Sequence, residues 1–114
     1  GVPADYDEWS ERGATGWDWN TVLPYFRRAE DNSRGADALH GSGGPLAVSD
    51  LRHHNPLTDA FLEAATQAGH ARNDDFNGPR QQGFGFYQVT QRDGARCSAE
   101  TCTSFHQIKC RSNG

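Results

Sequence analysis

The segment from Asn55 to Gly69, NPLTDAFLEAATQAG, is the most constraining part of this chain because it carries a full set of helix punctuation. Asn is a favoured N-cap, Pro fits the first helical position, and Gly is the usual residue just past a helix end. Between them Leu57, Ala60, Phe61, Ala64, Ala65 and Ala68 recur at three- and four-residue spacing, which predicts a helix over 56–68 with one apolar stripe. The small alanines suit close packing against a sheet or a second helix. The chain offers little to pack there: Leu, Ile, Val and Phe make up seventeen of 114 residues, below the ~20% at which disorder becomes a concern. The net charge of −4 is too small to complete that diagnosis. An apolar face short of partners is therefore expected.

On the N-terminal side, Asp5 is read as the cap of a short helix through Tyr6, Glu8 and Trp9, ended by Gly13 and Gly16. Asp18 precedes a second helix, Trp19 to Glu30, with Val22, Leu23 and Phe26 at helical spacing, Arg27 and Arg28 near its C-terminal end, and a kinking Pro24 inside. Residues 31–45 are polar and end in HGSGGP. They match neither phosphate-binding glycine pattern, and Leu46-Ala47-Val48 after them reads as a strand, so a plain loop is expected. Gly83 to Gln91 alternates like a strand, and Arg92-Asp93-Gly94-Ala95 makes a turn. Ser98 is read as the cap of a last helix through Phe105.

Two segments invite a metal. The stretch NDDFNG places Asn73, Asp75, Asn77 and Gly78 like the start of a calcium loop, but position 12 is Phe84, which has no oxygen to give. Cys97, Cys102, His106 and Cys110 are soft ligands without the close cysteine knuckle of a zinc site. Three cysteines in one tail fit free thiols in a reducing compartment better than a disulfide framework. No metal site is assigned. Eleven basic residues scattered among fifteen acids form no stripe for nucleic acid. No apolar run is long enough for a membrane span, which predicts a soluble chain, cytoplasmic by default. Gly at position 1 and the lack of Met point to a fragment or a processed form.

The order of blocks GVPADYDEW, GWDWNTVLPYFRRAEDN, HGSGGPLAVSD, PLTDAFLEAATQAG, NDDFNG and QQGFGFYQVTQRDGARCSA resembles an internal piece of the glucose-methanol-choline (GMC) family of flavoprotein oxidoreductases, closest to its choline and alcohol dehydrogenase branch. The likeness covers roughly residues 1–99, and HQIKCRSN at 106–113 resembles the family's next block. It implies an α+β fragment of the substrate-binding domain, helices plus a few strands of an antiparallel sheet, with 1–99 as part of that domain and 100–114 as its divergent continuation. The implied parent enzyme is FAD-dependent. It would move a hydride from the CH–OH carbon of a small-molecule alcohol to the flavin while a histidine takes the hydroxyl proton.

None of His40, His53, His54, His70 and His106 matches the family's catalytic position, and the dinucleotide fingerprint is absent. No catalytic or cofactor-binding residue is therefore assigned, and the isolated chain is expected to be inactive, with the rest of the parent flavoprotein as its partner. The NDDFNG loop is expected to cap its own turns. Phe86, Tyr87 and Gln88 are the candidates for facing the substrate cavity, since an amide beside aromatics suits an alcohol. The competing reading is a small non-enzymatic domain that binds a partner or a metal through its Cys/His tail.

Overall fold

The computed structural model describes residues 2–98. Helix α1 (Pro3–Glu11) begins with a proline after extended Val2, two residues before the predicted cap. Asp5 sits inside the first turn, where its carboxylate accepts the Val2 N–H at 2.9 Å. Helix α2 (Trp19–Ala29) starts as expected on Asp18, which accepts the Thr21 N–H at 3.1 Å and the Thr21 hydroxyl at 2.7 Å. That hydroxyl bond, with the backbone bond beside it, holds the Asp18 carboxyl below its ordinary pKa. Pro24, read as kinking the helix or restarting it, lies within α2 without restarting it.

Glu30 also departs from expectation: it leaves the helix and opens strand β1 (Glu30–Asn32), which pairs in parallel with β2 (Leu46–Val48). A parallel pair needs a long crossover, commonly a helix. Here residues 33–45 make it as an irregular, glycine-rich loop. The loop doubles back along β1, with the Asn32 N–H donating to the Gly41 carbonyl at 3.0 Å and the Gly44 N–H to the Glu30 carbonyl at 3.0 Å. Gly41 is required by this close approach, because a Cβ there would overlap the Arg27 carbonyl at the end of α2.

Helix α3 (Pro56–Gln67) has the predicted Asn55 cap, whose side chain accepts the Leu57 N–H at 2.9 Å, and Gly69 follows with φ +89°. Its buried residues are Leu62 and Ala65. Most of the predicted stripe lies in solvent, with Leu57 78% and Phe61 58% exposed.

The predicted strand over 83–91 is not a continuous ladder. It touches its neighbours at two bridges, Arg72 with Phe84 in parallel and Ser49 with Val89 antiparallel. The hairpin β3 (Gln91–Arg92) and β4 (Ala95–Arg96) turns at Asp93 (φ 53°) and Gly94 (φ 83°), the left-handed pair a tight hairpin demands. The described sheet structure is thus two separate pairs, one parallel and one antiparallel, in place of the single antiparallel sheet expected. Cys97 is disulfide-bonded, which overturns the free-thiol reading and removes its thiolate from any metal set. It packs with Ala47 and Leu46 as a small apolar cluster. The predicted last helix from Ser98 and the rest of the Cys/His set lie outside the described residues.

Candidate functional site

Four segments meet at one buried polar cluster. Asn32, at the end of β1, is 4% exposed and pairs amide to amide with Gln88, Nδ2 donating to Oε1 at 3.0 Å and Nε2 donating back to Oδ1 at 3.1 Å. The second Asn32 N–H goes to Glu30 Oε1 at 3.0 Å, and its oxygen also takes the Arg34 N–H at 3.0 Å. Glu30 Oε2 accepts the Gly41 N–H at 2.8 Å.

His40, 6% exposed, completes the cluster, with Nδ1 3.2 Å from both Glu30 oxygens and Nε2 3.0 Å from Asp75 Oδ2. A carboxylate at each ring nitrogen calls for two N–H donors, which only the imidazolium has. Burial pushes the His40 pKa down, but the hydrogen bonds to Asp75 and Glu30 outweigh it, and the pKa lies above its ordinary value. Because the two carboxylates flank opposite ring nitrogens, they do not converge on one point, and no three His, Cys, Asp or Glu side chains are placed to hold a metal among the described residues.

The NDDFNG loop spends its oxygens on itself and on this cluster. Asn73 Oδ1 accepts the Asp75 N–H at 2.9 Å and Asp75 Oδ1 the Asn77 N–H at 2.9 Å, while Asn73 Nδ2 donates to the Arg80 carbonyl at 2.8 Å. These are the turn caps expected of it. The loop is also pinned by Arg34, whose Nη1 donates to the Asp74 carbonyl at 2.6 Å.

Beside the cluster lies a cleft of about 250 Å³ whose walls include Arg34, Asp50, His54, Arg72, Phe86 and Tyr87. Phe86 stacks on His54 at 3.9 Å and Tyr87 on Phe76 at 4.4 Å between ring centroids. Arg34 pairs with Asp50 at 2.7 Å and Arg72 with Asp74 at 3.3 Å, so the charges at the cleft are matched. The hydrogen bond from Arg34 holds the Asp50 carboxyl below its ordinary pKa. Of the three residues predicted to face a cavity, Phe86 and Tyr87 border this cleft. Gln88 does not, its amide being taken by Asn32 and by Asp50 Oδ1 at 3.2 Å.

Sequence reasoning missed Glu30, Asn32 and His40. The only local signal for His40 was Asp37 three residues earlier, whose Oδ1 accepts the Leu39 and His40 N–H groups, each at 2.7 Å.

The profile of the family described as GMC oxidoreductase matches residues 1–113. The chain belongs to the GMC oxidoreductase family. It is 43% identical over 113 residues to the human protein named choline dehydrogenase, mitochondrial, spanning 99% of this chain and 19% of that one. It is 46% identical over 99 residues to the oxygen-dependent choline dehydrogenase of Brucella anthropi, spanning 87% and 18%. The crystal structure of pyridoxine 4-oxidase from Mesorbium loti superposes on 99% of this chain and 23% of its own with a TM-score of 0.83 and 32% identity. The chain thus spans about a fifth of the length of the relatives it matches.

GMC oxidoreductases are generally FAD-dependent, and the matched part of the family is its N-terminal, FAD-binding region. The glycine-rich turn at 41–44 does not fit the cofactor's phosphates. Added Cβ atoms at Gly41 and Gly44 would strike the carbonyls of Arg27 and Ala29, so acceptor oxygens fill the space a phosphate cradle would leave to an anion. No helix among the described residues is long and apolar enough to cross a membrane.

Proposed function

We propose that this chain is part of an FAD-dependent oxidoreductase acting on the CH–OH group of a small alcohol, choline or a close relative of it. The observation that carries this reading is the 43–46% identity to choline dehydrogenases along almost all of the chain. Flavin supplies the redox chemistry in such an enzyme, and the polypeptide binds and orients the alcohol. Since the glycine turn offers no phosphate cradle, the phosphates of FAD would be held by other parts of the full-length protein, and the 114 residues alone would be colourless and inactive. Residues 1–99 would contribute to the substrate-binding half, with 100–114 continuing it. Phe86 and Tyr87 would form aromatic wall for the substrate, supported by their place at the cleft. Gln88 would support that wall from behind through its bond to Asn32.

The test is anaerobic addition of choline and of other small alcohols to the purified full-length protein. Bleaching of an oxidised flavin spectrum is expected, together with a raised KM and little change in kcat for Tyr87→Ala. A full-length protein without flavin absorbance, or one whose flavin no alcohol reduces, would overturn the proposal.

A further inference from the structure

The Glu30–His40–Asp75 arrangement joins two parts of the chain that share no strand pairing. Glu30 belongs to β1, His40 to the crossover loop, and Asp75 to the 73–80 loop. We propose that protonated His40 is a pH-dependent clasp that fastens the 73–80 loop to the β1–β2 pair and lets it go when the ring loses its charge. The geometry favours the charge. A neutral ring has one N–H, so with Nδ1 at 3.2 Å and Nε2 at 3.0 Å from carboxylate oxygens, one half-buried carboxylate would face a lone pair. The Asn32 amide relieves it only in part: its Nδ2 lies 3.2 Å from Nδ1, but the same group also donates to Glu30 Oε1 and Gln88 Oε1, both at 3.0 Å.

Charged groups face His40 from each element packed against it. Glu30 faces Nδ1 from β1 and Asp75 faces Nε2 from the 73–80 loop. On the crossover loop, Asp37 accepts the His40 N–H, and from α2 Arg27 Nε donates to the His40 carbonyl at 3.4 Å. Arg34 reaches the same 73–80 loop at the Asp74 carbonyl, a tie that does not titrate with histidine.

The sign follows from the direction of the shift. The His40 pKa is raised above 6.5, so its contribution is complete below that value and disappears as pH climbs through the higher folded value. Loosening is therefore an alkaline event. It would be local, because Asp74 and Tyr87 line the cleft and Phe76 of the same loop stacks on Tyr87. The clasp concerns the chain's own side chains and stands whichever alcohol the parent enzyme takes.

Hydrogen–deuterium exchange on the full-length protein tests this, with rates corrected for intrinsic pH dependence and α3 as the internal reference. Between about pH 6 and about pH 9, protection of the Asp75 and Asn77 amides should fall, by at most about tenfold per pH unit between the free-histidine value and the higher folded value, and should level off once the ring in the closed loop has lost its proton. The α3 amides should hold. In His40→Gln the dependence should vanish, and in Asp75→Asn protection should be low at both ends. Constant protection in the wild type, a dependence that survives His40→Gln, or parallel loss in α3 would each overturn the clasp. If His40→Gln fails to fold, the wild-type pH series and Asp75→Asn decide the matter.

Discussion

Single residues hold this chain together at points that side-chain size or polarity alone would not reveal. Gly41 lies against the last turn of α2 so closely that Gly41→Ala must push a loop away from the Arg27 carbonyl. Overpacking of this kind costs about 1–3 kcal/mol or more, and the urea midpoint of the full-length protein should fall accordingly. Asn32→Ala removes the partner of Gln88, a donor to Glu30 and the acceptor for the Arg34 N–H. Leaving those buried groups unpaired should cost about 1–3 kcal/mol, measured the same way. Neither role could be read from the sequence. HGSGGP looked like an ordinary loop because glycine's need for space depends on the backbone beside it, here Arg27. Asn32 sits in Glu-Asp-Asn, three polar residues with no strand signature, and its partner lies 56 positions away.

At the scale of elements, legibility follows locality. Helix α3 was readable because its cap, its first proline and its terminal glycine all act within a few residues of one another, and the Asp93-Gly94 turn for the same reason. Which face of α3 is covered depends on distant neighbours, and there the stripe misled: Leu62, outside it, is 4% exposed while Phe61, inside it, is 58% exposed. Phe61 keeps an edge-to-face contact with Phe84 at 5.8 Å. In the isolated chain Phe61→Ala should therefore leave the urea midpoint nearly unchanged, whereas Leu62→Ala, which removes a buried side chain, should lower it. Urea unfolding of the two variants side by side separates the predicted stripe from the buried face. The strand over 83–91 is limited in the same way: the alternation is there, but pairing requires neighbours, and only Phe84, Val89 and, at its end, Gln91 find one.

The whole molecule is flat, 57 × 40 × 21 Å, with a radius of gyration of 17.2 Å against about 13 Å for a compact domain of this length. Its buried apolar residues are few among those described, and Trp9, Trp17, Tyr25 and Phe26 are each about half exposed or more. This matches a segment one-fifth the length of its relatives, and it leaves an apolar face on α1 and α2 open. The isolated chain is expected to bind a hydrophobic dye and to show red, readily quenched tryptophan emission, with a broad urea transition. Blue, quench-resistant emission and a steep transition would show that the segment folds as a unit.

The amide pair between Asn32 and Gln88 also sets a schedule for the newborn chain. With 56 positions between them and synthesis at about 5–20 residues per second, Asn32 is made roughly 3–11 s before its partner. Once Val48 has been added the β1–β2 pair is complete in sequence, but its polar end is unsatisfied, as is Glu30's neighbour His40, which waits for Asp75. The N-terminal half therefore has every reason to stay loose until residue 88 arrives, and a ribosome pausing before that codon prolongs the time in which the tryptophan face can find the wrong partner.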